Sequence, residues 1–79
     1  MKYKNEVMFY LSHNIMRQFL SNNDYVLIDV FYDVMQEITE DYLNNYDNAN
    51  KSLLDSINDY IILREKYIKE KLQKIYETF

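Results

Sequence analysis

The chain has 79 residues, no cysteine, no glycine and no proline, and its formal net charge is −4. That length is one domain, 1–79, near the lower limit of independent folding, and the cysteine count rules out disulfides and thiolate metal sites as reinforcement. With both breakers missing, glycine-dependent hairpins and phosphate-cradling loops are excluded, and long helices joined by Asn, Asp and Ser turns are expected.

The first helix is expected over residues 5–21, where apolar side chains recur at helical spacing. Met8, Phe9, Leu11, Ile15, Met16, Phe19 and Leu20 gather on one face, with Tyr10, His13, Asn14, Arg17 and Gln18 opposite. Asn5 is the expected N-cap, and Ser21 to Asp24 form a turn in which Asn supplies the conformations that Gly would otherwise provide.

The second helix is expected over 25–46. Val26, Leu27, Val30, Phe31, Val34, Met35, Ile38 and Tyr42 make its apolar side. β-branched residues are frequent at 26–34, but the apolar steps are three and four, which decides for helix over strand. Asp29, Asp33, Glu37 and Glu40 run along the other side at steps of four, four and three.

A turn near 43–51, capped by Asp47, Asn48 or Asn50, leads to a third helix over 50–78. Leu54, Ile61, Ile68 and Ile75 recur every seven residues, the spacing of a coiled-coil seam. Arg64 and Lys71 interrupt the companion positions of that seam. At about 1.5 Å per residue, this helix exceeds about 40 Å and overhangs a simple bundle. The expected fold is therefore an all-α three-helix bundle with a long C-terminal helix. Its overhang presents Ile75, Tyr76 and Phe79, with Ile62 pointing off the seam. A homodimer through Leu54, Ile61, Ile62, Ile68, Ile75, Tyr76 and Phe79 would cover them.

Catalytic arrangements are poorly served. The single histidine, His13, follows Ser12 directly, and adjacent helical residues point about 100° apart. The carboxylate row lies opposite the apolar side, where no dry cavity raises a pKa or holds a metal. No enzyme activity and no cofactor are expected. Lys and Arg in the last third are interleaved with Glu65, Glu70 and Glu77, a solvated pattern of pairs such as Glu65–Lys69, Lys66–Glu70 and Glu70–Lys74, so direct nucleic-acid binding is disfavoured. No stretch reads as a signal peptide or a membrane span, and the cytoplasm is the expected location.

Charge is uneven. Residues 5–60 hold ten acids against Arg17 and Lys51, a net of −8. Tyrosines interleave with these acids. Asp29, Asp33, Glu37, Glu40 and Asp41 with Tyr32 and Tyr42 make an expected docking face for a protein with a basic surface, such as a nuclease or another nucleic-acid-binding protein. In size, charge and the AT-rich codon bias its residues imply, the chain is similar to small acidic inhibitors of phages and mobile elements, including anti-CRISPR and DNA-mimic proteins. That likeness implies an accessory protein that binds and inhibits or modulates a host protein. Two other readings stand beside it: the helical homodimer in a structural or assembly role, and a sponge that traps an anionic nucleotide between subunits with Arg64 and Lys71.

Overall fold

The computed structural model describes residues 2–20, 28–46 and 51–77. Every regular element among them is helical: α1 (Lys2–Phe19), α2 (Ile28–Asn45), α3 (Leu53–Leu63) and α4 (Glu65–Glu77). The expected turns at 21–24 and 47–50 lie outside the described residues, as does Phe79 and the side chain of Tyr76.

Two expectations need correction. Asn5 does not cap α1, which already starts at Lys2. More consequentially, the single helix expected over 50–78 is two helices, so the bundle has four members. Ser52 opens α3: its backbone is extended, and its side-chain oxygen accepts from the amide of Asp55 at 3.2 Å, satisfying a donor that the first turn leaves free. The break falls at Arg64, whose ψ of 26° departs from the helical value near −42°. Its amide still donates to Tyr60 O at 2.9 Å, and its carbonyl accepts from Ile68 N at 2.9 Å, so the axis turns over one residue.

No proline or glycine stands at this bend, and Leu, Arg, Glu and Lys are good helix formers. The cause is tertiary. The Arg64 side chain reaches Asp41 of α2 while its guanidinium lies over the rings of Tyr46 and Tyr67, 5.7 and 4.2 Å from their centroids. As a result α3 packs on α1, whereas α4 packs on α2.

One core joins all four helices. α1 contributes Val7, Leu11 and Ile15; α2 contributes Val34, Met35, Ile38 and Tyr42; α3 contributes Ile57, Tyr60 and Ile61; α4 contributes Ile68, Leu72 and Ile75. Ile61, Ile68 and Ile75, expected at a dimer seam, are therefore interior residues of the chain's own bundle. Ile75, expected on an overhang, is fully buried, on the helix that packs against α2.

The face of α1 is also rotated from the expected one. Val7 and Asn14 are buried, while Phe9 and Met16 are exposed. A helix flanked by both α2 and α3 buries an arc centred between its two neighbours, not the arc with the largest apolar sum. Asn14 is accommodated by donating to Tyr10 O at 2.8 Å and accepting from Arg17 at 2.9 Å. Among the described residues, no helix is long and apolar enough to cross a membrane.

Candidate partner-binding face

Helix α2 places the expected acidic row along a line, and the neighbouring helices divide that line in two. In its C-terminal half every carboxylate has a cation. Glu37 meets Lys71 and Lys74 of α4, each at 3.3 Å. Both lysines therefore reach across to α2, and Lys74 makes no pair with Glu70 of the kind expected within one helix; Glu65–Lys69 does form, at 3.3 Å. Hydrogen bonding from Lys71 first, and from Lys74, together with their charges, holds the Glu37 carboxyl below its ordinary value of 4.5 against a smaller opposing effect of burial. Glu40 meets Lys4 of α1 at 2.5 Å.

Asp41 is the most enclosed of the three. It accepts from Tyr60 Oη at 2.8 Å, from Arg64 Nε at 3.2 Å and from Arg64 Nη2 at 3.5 Å, and its side chain is 13% exposed. Burial, and then the neighbouring Asp41 carboxylate, push the Tyr60 phenol well above its ordinary value of 10.0, so this hydroxyl stays protonated as a donor. Arg64 is raised in turn by its hydrogen bond to Asp41. Around this pair the aromatic rings interlock: Tyr60 sits edge-on to Tyr42 and Tyr46, with centroids 5.4 and 5.0 Å away. Tyr42, expected on the docking face, is instead buried and donates to Ser56 Oγ at 2.8 Å. The cluster is built to hold α2, α3 and α4 together. Arg64 and Lys71, considered above as nucleotide ligands, are both engaged within the chain, Lys71 lying 5.5 Å from the Tyr67 ring as well as on Glu37.

The N-terminal half of α2 is different. Asp29 and Asp33 are exposed and form no ion pair among the described residues. Tyr32, one turn after Asp29 and directly before Asp33, is 53% exposed. Across from it α1 presents Met8, Phe9, Ser12, His13 and Met16, and together with Asn5 and Tyr32 these line an open groove of about 370 Å³. Phe9 is 65% exposed and Met16 48%. The Phe9 ring lies parallel to the His13 imidazole at 6.4 Å and edge-on to Tyr10 at 5.4 Å, which fixes its position on the surface.

Sequence reasoning assigned Phe9 and Met16 to the core and so missed this groove. The signal for it is the width of the α1 apolar arc. Seven apolar residues spread over more of the helix than one neighbour covers, and the surplus emerges beside α2.

Of the expected dimer residues, Leu54 and Ile62 are exposed on α3, and so is Leu63 beside them. Leu63 also closes a small hollow of about 130 Å³ with Tyr46, Lys51, Ser56, Asp59 and Tyr60. Among the described residues, no group of three or more His, Asp or Glu side chains stands close enough to hold a metal ion.

The fold and this face define a small all-helical bundle with an open groove lined by Phe9, Met16 and Tyr32, the exposed Asp29 and Asp33 lying on the same helix as Tyr32. Comparison with known proteins adds no name to that class: no family model, no curated protein and no solved structure matches the chain.

Proposed function

We propose that the chain is a binding protein that docks its α1/α2 face onto another protein, one whose surface is apolar at the centre of contact and basic along an edge. The observation that carries this reading is the joint exposure of Phe9, Met16 and Tyr32 around one groove, with the unpaired Asp29 and Asp33 on the same helix as Tyr32. Aromatic side chains supply contact area at low entropic cost, and methionine adapts to a partner's shape. The two carboxylates supply steering and orientation, and because they form no ion pair among the described residues, their field is available to a partner. This reading keeps the inhibitor or modulator of a host protein suggested by size and charge. It narrows the contact from the whole acidic row to its N-terminal half and adds the adjoining side of α1.

The test compares proteins captured by the immobilised chain with those captured by a Phe9→Glu, Asp33→Lys variant and by a Lys69→Glu control on α4, all checked for helicity by circular dichroism. The face variant is expected to lose its specific captures by roughly tenfold or more, the scale of a hot-spot loss, with the control unaffected. Equal capture by the face variant overturns the reading.

A further inference from the structure

The α1/α2 groove has the length and spacing of a seat for one more helix. Lys4 pairs with Glu40 towards one end, and Met16 lines the same groove as Tyr32 towards the other, so α1 and α2 run antiparallel on either side of it. Asn5, Phe9, Ser12 and Met16 form its α1 wall at steps of four, three and four. That is the spacing by which one helix offers a seam to another. Val7, Leu11 and Ile15 step by four on the other side of α1 and are taken up by the bundle's own core. Helix α1 therefore carries two helix-spaced faces, of which the described residues cover one.

Length and charge narrow the occupant. From Asn5 to Met16 the wall runs about 16 Å, close to three turns of a helix, and Phe9 and Met16 stand about 10 Å apart along it. An extended segment would bring unpaired amides and carbonyls to this wall, and no strand edge among the described residues can take them up. A helix arrives with its backbone satisfied and sets apolar side chains every three or four residues against Phe9, Met16 and Tyr32. Charge fixes the rest of its surface. Asp29 lies one turn before Tyr32 on the same side of α2, Asp33 follows Tyr32 directly, and both are exposed without an ion pair among the described residues. Glu6, three positions before Phe9 on α1, is a further exposed acid, whereas Arg17 at the other end of that helix donates to Asn14 Oδ1.

We infer that the groove takes an amphipathic helix with a basic polar face, laid along α1 and α2 as a further member of the bundle. The inference rests on the docking face proposed above and adds the shape and charge of the segment which that face holds.

The probe is a fluorescently labelled peptide of leucine and lysine alone, roughly fourteen residues long, with leucines every three and four positions so that it folds as a basic amphipathic helix. A second peptide holds the same residues in alternation, the period of a strand, and a third keeps the helical period with glutamate for lysine. Fluorescence anisotropy should show the basic helical peptide binding tighter than either comparator by roughly tenfold or more. Phe9→Glu should weaken that binding by roughly tenfold and Asp29→Lys severalfold, while Lys69→Glu on α4 leaves it unchanged, with circular dichroism showing an unchanged fold throughout. Chemical shifts that the peptide perturbs should gather on Phe9, Ser12, His13, Met16 and Tyr32. Absence of binding by the basic helical peptide overturns the inference. Equal binding by either comparator does so too, as do perturbations gathered on α3 or α4. Failure of the docking reading is a separate result, equal protein capture by the Phe9→Glu, Asp33→Lys variant.

Discussion

The two halves of α2 carry the same kind of side chain at the same spacing and end in opposite circumstances. Asp29 and Asp33 are exposed and have no ion pair among the described residues, whereas Glu37, Glu40 and Asp41 are met by Lys71 and Lys74, by Lys4, and by Arg64. The difference arises in the neighbours. α4 lies against the C-terminal part of α2 and delivers two cations to it, the break residue Arg64 delivers a third, and the first turn of α1 a fourth. An acidic stripe on a helical wheel is therefore a statement about one helix, and the field it offers to a partner is decided by the others. Here the stripe contributes cohesion at one end, and at the other it supplies the carboxylates of the proposed docking face.

The largest effect that tests this division is at Asp41. Asp41→Ala removes the nearer acceptor of the buried Tyr60 hydroxyl, leaving it only Ile38 O at 3.4 Å, and a loss of about 2 kcal/mol is expected in urea unfolding. Asp33→Ala should stay within about 0.5 kcal/mol of the unmodified chain, as exposed substitutions usually do. Comparable losses at the two positions would break the division.

Next in size is Tyr60→Phe, expected to cost about 1 kcal/mol near neutral pH, the net worth of one buried hydrogen bond. It should also change the alkaline limb. A phenol raised in the folded state contributes stability that is fully present below its unfolded value of 10.0 and is lost as pH rises toward the folded one. The unmodified chain should therefore weaken above pH 10, and the Phe variant should weaken less there. An unchanged alkaline limb would show that this hydroxyl is not held between burial and Asp41.

The smallest effect is at Glu37. Its carboxyl is lowered in the fold, so its contribution is present above the unfolded value of 4.5 and is lost as pH falls through the folded one. The side chain is 46% exposed and the pairs are screened, so Glu37→Gln should flatten the acid limb by only a few tenths of a kcal/mol, about the worth of a surface ion pair. Added salt should erase most of that difference.

Much of this architecture could be read from the chain. The all-helical class follows from the missing breakers and the period of the apolar residues. Most of the core on α2, α3 and α4 was also legible: Val34, Met35, Ile38, Ile61, Ile68 and Ile75 all lie where the spacing puts them toward an interior. Whether that interior belonged to one chain or two was not legible, because burial against α1 and burial against a second copy select the same side chains. The bend was legible only in part. Arg64 and Lys71 interrupt the heptad seam where apolar residues are due, but local propensity runs straight through them, and the residue that bends the chain, Asp41, lies 23 positions upstream. On α1 the error was one of rotation, since a hydrophobic sum cannot say how many neighbours a helix has. Asp41 reads as surface, and Tyr42 reads both as apolar side and as docking face, because a half-turn seen in isolation does not reveal the tyrosine layer that closes over it.

Asp41, Tyr60 and Arg64 also bear on how a chain of this design can change. The bend is specified jointly by three positions on three segments, each useful only in the company of the other two. Replacing any one alone removes a partner from the rest, so effects measured singly will not add, and a double-mutant cycle between 41 and 64 should show strong coupling. Asp29 and Asp33 form no ion pair among the described residues, so this end of α2 can be substituted one residue at a time while the architecture stays fixed.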